Sequence, residues 1–524
     1  MDDFAKRSDN AYGTFVPTTP GKGFFGGTIE TGWSDAGVII PWNLYQTTGD
    51  TSYITKYYDQ MDAYMDAYFA KGYKCALGDW VGFEKTDNSY MNAVYKVYCS
   101  QLMSKMAAAV GNQAMVEKYN GLEEQAREYA KTYLDTIGTH KGMDTQTGIM
   151  WALRAGIYNS EEQKQQLYDR LQENIANEDQ SFRPTSSENT ISIGFLGLNV
   201  VLSAITEVGG AESAYDLLLQ DQYPSWLNQV KLGSTSMWEQ WDGYSAEYSF
   251  GSSGMNSFNH YSYGIVSEWL YKYMAGISAD ESNPGYKSIV LQPTMDTGTQ
   301  YNSEERINYV NGSYDSAYGE IESNWTSDEG NLSTYEAVVP ANTTATLYLP
   351  VSEDAVAEFE NIDGVTYKGM EEHNGLMTAK FNLEAGGYNF AITDGKLTVS
   401  MADGYVAMAD RGIINKVIAY AEKELADPEF NNVIPSVQES FKVALENAKE
   451  VVANAASTEE DIYSAWTTLL NEIHKLGFVA GDKDSLSLVI QAADEINADL
   501  DRYVEAGKAE FTTALDAAKT VYNN

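Results

Sequence analysis

The chain has 524 residues, too many for one ordinary core, so roughly two to four domains are expected. Asp and Glu number 75 against 34 Lys and Arg, a formal charge of -41; such a field repels phosphate backbones and acidic lipid, which argues against nucleic acid and anionic membrane surfaces as partners. The same charge also serves plain solubility, and 43% hydrophobic with 12% aromatic residues is the composition of a folded protein rather than a disordered one.

No run approaches the eighteen or so apolar residues that span a bilayer, and the stretch Met1-Asp2-Asp3-Phe4-Ala5-Lys6-Arg7 lacks the charged and apolar regions of a secretory signal. A signal upstream of these residues is compatible with that reading. Cys75 and Cys99 read as buried structural thiols, with a disulfide as the open alternative. The histidines, His140, His260, His373 and His474, are scattered, and the Asp residues have no EF-hand spacing, so neither a metal nor a cofactor is called for.

From about residue 35 to 276 apolar residues recur at three- and four-residue spacing. The pattern predicts helices near 34–47, 55–71, 88–110, 112–134, 145–157, 160–177, 191–208, 211–219 and 257–275, joined by short Gly, Asn, Ser and Pro segments. Successive helices with short connections favour antiparallel hairpins. Beyond Gly276 the period changes to short β-rich runs such as Lys287-Ser288-Ile289-Val290-Leu291 and Thr344-Ala345-Thr346-Leu347-Tyr348-Leu349, the signature of an antiparallel β-sandwich over 278–398. After residue 403 the chain is Ala- and Glu-rich and helical. Phe441-Lys442-Val443-Ala444-Leu445 recurs as Phe511-Thr512-Thr513-Ala514-Leu515, which predicts a three-helix module over 403–480 and a second over 481–524 without a third helix.

Within the helical part, Glu239 stands in Met237-Trp238-Glu239-Gln240-Trp241. A Glu between indoles is costly to bury unless its charge is used or paired. Glycoside hydrolysis needs one carboxyl group to protonate the leaving oxygen and another to act as base or nucleophile, and indole walls suit sugar faces; a surface Glu beside two core tryptophans is the plainer reading. Trp33-Ser34-Asp35-Ala36, Gly78-Asp79-Trp80 and Asn259-His260-Tyr261 each set a polar group beside an aromatic at a helix end. Asp35 reads equally well as an N-terminal cap.

Taken in order, these runs resemble glycoside hydrolase family 78, the α-L-rhamnosidases. The resemblance covers about residues 21–395 and includes Tyr45-Gln46-Thr47-Thr48-Gly49-Asp50, Gly194-Phe195-Leu196-Gly197, Tyr223-Pro224-Ser225-Trp226 and Pro340-Ala341-Asn342-Thr343. It implies an (α/α)₆ barrel, of the six-hairpin glycosidase type, over 1–277, followed by the C-terminal β-sandwich. By the same resemblance, the reaction is inverting hydrolysis of terminal α-L-rhamnosyl bonds in plant-type polysaccharides or glycosides. Glu239 falls on the water-activating base, His260 on a rhamnose-contacting residue, and Trp33, Asp35, Asp79 and Trp80 on pocket-lining segments, while Trp238 and Trp241, as the indoles flanking Glu239, are expected to contact substrate.

The family's general acid lies in an Asp-Cys-Pro-x-Arg-x-Glu stretch, and that stretch does not occur in this sequence. Glu30 stands without the motif and is not assigned the role. About nine helices are legible where six hairpins need twelve, so the expectation is an internal piece of a larger enzyme with the barrel incomplete at its N-terminus. A catalytically inactive carbohydrate-binding or scaffold protein is the alternative, and another (α/α)₆ enzyme such as a lyase is a third. The terminal repeats resemble the helical modules called "found in various architectures" domains. That likeness implies spacer or protein-contact roles and an extracellular or cell-surface parent.

Overall fold

The computed structural model describes residues 2, 15–18, 29–70, 75–180, 183–245, 247, 249–250, 256–298, 306–402, 411–454, 457, 459–478 and 483–523. The chain divides into two compact units, residues 1–407 and 408–524. The first contains a mainly helical part followed by a β-sandwich, and the second is helical.

The helices start where a side chain can satisfy the free amides of a first turn. Asp87 accepts from the amides of Ser89 and Tyr90 at the head of Asn88–Ala109, and Asn112 accepts from Met115 at the head of Gln113–Lys131. These two form the longest hairpin. Thr145 and Ser160 cap Gln146–Ala155 and Glu161–Ala176 in the same way. Gly49 and Gly156, both left-handed, end Ala36–Thr48 and Gln146–Ala155, as glycine does where a helix must stop. Helix Tyr58–Ala70 buries Met61, Tyr64, Met65 and Tyr68 on one face, a three- and four-residue stripe.

Two predicted helices take another form. Over 191–208 only Leu198–Val200 and Ser203–Thr206 are helical. The backbone groups of the rest are engaged elsewhere: Phe83 N–H donates to Ser192 O, Trp151 Nε1–H to Leu196 O and Trp241 Nε1–H to Ile193 O. Over 257–275 the first residues are irregular. Ser262–Ile265 is a 3₁₀ turn, Val266–Trp269 one α turn and Leu270–Ala275 a π-helical turn. Tertiary hydrogen bonds override the local period in both places.

Among the described residues ten strands follow: β1 Ile277–Ala279, β2 Ser288–Leu291, β3 Tyr309–Ser316, β4 Gly319–Asp328, β5 Asn331–Val339, β6 Thr344–Leu349, β7 Val365–His373, β8 Leu376–Leu383, β9 Gly386–Thr393 and β10 Lys396–Met401. They form two five-stranded sheets, ordered β1-β2-β6-β8-β7 and β10-β9-β5-β4-β3. Pairing is antiparallel except between β2 and β6. Alternate residues face inward, so that Trp325, Tyr335, Leu347, Phe381 and Phe390 fill the space between the sheets, as in sandwiches generally. The sandwich is bolted to the helices by Trp325 Nε1–H to Met274 O (2.7 Å), Tyr215 O–H to Thr294 O (2.6 Å) and Arg306 to Asp216 (2.8 Å). Gly276, with φ +81°, allows Pro293 to approach closer than any side chain would permit.

In the second unit, Gly412–Ala426, Pro435–Ala453 and Glu459–His474 pack around Ile414, Phe441, Leu445 and Leu469. Lys483–Ala498 and Lys508–Asn523 form a separate pair in which Leu515 is buried while Leu488, Val489 and Val521 are exposed. Among the described residues, no helix is long and apolar enough to cross a membrane.

Candidate active site

The site is assembled from three loops. Residues 237–239 and 257–260 run alongside one another: Glu239 N–H donates to Ser257 O at 2.8 Å and His260 N–H to Met237 O at 2.8 Å. This pairing brings the two sequence motifs together. Glu239 is 8% exposed. One carboxylate oxygen accepts from Ser257 N–H at 3.0 Å, and the other lies 3.5 Å from Trp80 Nε1. The first contact fixes the carboxylate, while the second is long for a hydrogen bond. A buried carboxylate held by one strong donor retains lone pairs to accept a proton.

Trp80 is positioned by its neighbour. Asp79 accepts from Thr147 Oγ1 (2.5 Å), Gly194 N (2.9 Å), Leu196 N (2.8 Å) and Gly197 N (3.2 Å). Burial raises its carboxyl from the ordinary value, and these donors pull it back. Gly194 lets the two loops touch, since a Cβ there would stand 2.2 Å from Trp80 O. Phe195 then packs on the His260 ring at 5.0 Å. Ser262 N–H and Oγ lie 3.3 and 2.9 Å from His260 Nδ1. An amide can only donate, so Nδ1 accepts and the neutral ring carries its proton on Nε2.

The expected pocket residues separate into two groups. Glu239, Trp80 and His260 are drawn together by these contacts, and Trp33 is partly exposed against the same helical core. Trp241 (1% exposed) and Trp238 (5%) are enclosed. Trp241 packs on Tyr263 at 3.9 Å and edge-on to Trp226, and Trp238 packs edge-on to Phe258. Both indoles brace the loop that carries Glu239.

Asp35 likewise is neither a helix cap nor a surface group. Its carboxylate accepts from Gly32 N (2.6 Å), Tyr64 O–H (2.7 Å) and Cys99 Sγ (3.4 Å) in the interior. Both cysteines are free and buried, and burial pushes the Cys99 thiol well up.

Burial raises the Asp35 carboxyl from 3.8 to about 6, against the pull of those donors. Between about pH 4 and 6 the folded protein therefore keeps a proton that the unfolded chain has lost. Stability from this group is greatest below pH 4 and falls as pH rises, by about 3 kcal/mol across the window. Urea unfolding of Asp35→Asn beside wild type should show their difference moving against wild type between pH 4 and 6; a difference independent of pH would contradict this.

Sequence patterns did not reveal Glu84, which is buried and accepts from Gln146 N (2.8 Å), Asn174 Nδ2 (2.7 Å) and Ser192 Oγ. It ties the loop after Trp80 to the one holding Gly194. Glu30, also buried, accepts from Leu77 N at 2.8 Å and anchors the same loop from the other side. Neither has a local signature, because each partner is distant in sequence. Among the described residues, no group of three or more His, Cys, Asp or Glu is arranged to hold a metal ion.

Residues 1–274 match the bacterial alpha-L-rhamnosidase 6 hairpin glycosidase domain, and residues 276–361 match the bacterial alpha-L-rhamnosidase C-terminal domain. An alpha-L-rhamnosidase of Formosa agariphila is 28% identical over 352 residues, 64% of this chain and 35% of the relative. One from Streptomyces avermitilis is 31% identical over 346 residues, 64% and 31% of the two chains. The chain thus spans about a third of the length of these relatives.

The solved structure of the Streptomyces avermitilis alpha-L-rhamnosidase complexed with L-rhamnose superposes with a TM-score of 0.62 at 27% identity, over 74% of this chain and 36% of that one. The Aspergillus terreus α-L-rhamnosidase shares the fold, with a TM-score of 0.62 at 21% identity over 75% and 43% of the two chains. The chain belongs to the bacterial α-L-rhamnosidase family of six-hairpin glycosidases.

Proposed function

We propose that the protein carrying these residues hydrolyses terminal α-L-rhamnosyl bonds with inversion, and that Glu239 is the base that activates water. The observation that carries this is the Glu239 carboxylate, 8% exposed and fixed by Ser257 N–H, with the Trp80 indole beside its second oxygen. Water held by that oxygen loses its proton as it attacks the anomeric carbon from the face opposite the leaving group. His260 donates from Nε2 to a substrate hydroxyl, and Trp80 and Trp33 offer indole surface to the ring. Asp79, Trp238, Trp241 and Asp35 act through the backbone and packing that hold those groups. The substrates are rhamnose-containing glycosides or polysaccharides, and the repeats after residue 411 serve as spacers or protein contacts on an extracellular or cell-surface parent.

An inverting pair needs an acid about 6.5–9.5 Å from the base, and the family's acid motif does not occur in this sequence. General acid catalysis contributes about 10²–10⁴-fold, and good leaving groups need it least. Assayed as it stands, the chain should release rhamnose from a nitrophenyl α-L-rhamnoside while losing about 10²–10⁴-fold on an alkyl rhamnoside relative to a protein that carries the acid. Equal preference in the two proteins would refute the missing acid. Calorimetric binding of rhamnose without turnover of either substrate would favour the inactive carbohydrate-binding reading, which rests on the same sequence observation.

A further inference from the structure

A cavity of about 640 Å³ lies in the first unit between the helices and the β-sandwich. It is at the other end of the helices from Glu239. Helix Gln146–Ala155 carries in its first turn Thr147, which donates to Asp79, and reaches the cavity at Arg154, about 10 Å further along at 1.5 Å per residue. Helix Ala36–Thr48 leaves Trp33 behind and brings Trp42, Asn43 and Gln46 to the cavity wall. Strands β1 and β2 close the opposite side. None of the residues that touch Glu239 lines it.

We infer that this cavity is a second carbohydrate-binding site, for a neutral, hydroxyl-rich oligosaccharide, separate from the catalytic centre. The aromatic platform is Tyr271, half exposed at the rim and edge-on to Tyr314, with Tyr286 stacked on Tyr314 at 4.5 Å. Tyrosine rings held by their neighbours offer flat apolar faces at little entropic cost, and sugar C–H faces lie on such surfaces. Around them stand the amides of Asn43, Gln46 and Asn374 and the exposed carboxylate of Glu268, which donate to and accept from hydroxyls.

Charge selects against acidic ligands. The lining cations both face Glu207: Arg154 forks onto its two oxygens at 3.2 and 2.9 Å, and Lys272 lies 3.7 Å from it. Tyr273 O–H also donates to Glu207, at 2.6 Å. Glu281, a third lining acid beside Glu207 and Glu268, is engaged by Lys105 at 2.5 Å. A phosphate or uronate would have to displace Glu207 from its partners and would face Glu268. The volume is in the range of about 300–1,000 Å³ typical of small-ligand sites and accommodates more than a single hydroxyl-bearing fragment.

Binding here needs no turnover, so the inference stands apart from the catalytic proposal. The test is native gel electrophoresis of the whole chain through gels cast with galactomannan, xyloglucan or debranched arabinan, and through gels cast with polygalacturonate. Wild type should be retarded by at least one neutral polymer and not by polygalacturonate. Tyr271→Ala should weaken that retardation at least about fivefold with its Tm unchanged, and Trp80→Ala, at the other centre, should keep it. The inference is overturned by no retardation in any neutral gel, by preferential retardation in polygalacturonate, or by retardation lost in Trp80→Ala but kept in Tyr271→Ala.

Discussion

Glu239→Gln should lower kcat/KM on an aryl α-L-rhamnoside by about 10²–10⁴-fold, the range that a positioned proton acceptor contributes. The amide keeps an oxygen that can accept from Ser257 N–H, so the loop pairing of Glu239 with Ser257 survives, and Tm should move little. What is lost is the negative charge that takes the proton from water. The loss should appear in kcat, because the neutral amide still fills the same volume beside Trp80 and leaves ground-state binding in place. A variant that turns over like wild type would mean that Glu239 only ties its own loop.

The second large effect is expected at Asp79, a positioning residue. Asp79→Ala removes the acceptor for four donors at once, Thr147 Oγ1 and the amides of Gly194, Leu196 and Gly197. Each donor left without a partner in the interior costs about 1–3 kcal/mol, and shared relaxation keeps the total below the sum. A loss of about 2–4 kcal/mol in urea unfolding is expected. Activity should fall as well, by about 10²-fold, because Trp80 and the Phe195 that packs on His260 lose their common mount, and displacement of about 1 Å at a reacting centre has that effect. Loss of stability with kcat and KM intact would confine Asp79 to folding. No change in either would show that the four donors find other partners.

These two residues also mark how far the sequence could be read. The long hairpin of Asn88–Ala109 and Gln113–Lys131 was legible because apolar residues recur through the whole length of both helices and Asp87 and Asn112 cap their first turns, and β6 was legible from Thr344-Ala345-Thr346-Leu347-Tyr348-Leu349 because period and boundaries coincide. Residues 191–208 were not. Their apolar spacing imitates a helix, but the backbone amides of Gly194, Leu196 and Gly197 are taken by a carboxylate more than a hundred residues away in sequence, and no local pattern encodes such a partner.

The same physics separates the site residues. Glu239 could be picked out because a charged group between two indoles is chemically conspicuous. Its neighbours Trp238 and Trp241 carry the same aromatic signal, yet the structure turns their rings into the core. Aromatic residues serve packing and sugar recognition through the same apolar face, so composition alone cannot assign the role. Asp35 illustrates the converse: a polar residue before a helix reads as a cap, whereas here Tyr64 and Cys99, from two other helices, fold over it and enclose the charge.

The stereochemical course tests the role of Glu239 most directly. Proton NMR of the first rhamnose released from an aryl α-L-rhamnoside should show the β-anomer, and Glu239→Ala with added azide, which attacks without a base, should form β-L-rhamnosyl azide. The α-anomer as first product, or an azide adduct of α configuration, would contradict an inverting mechanism with Glu239 as its base.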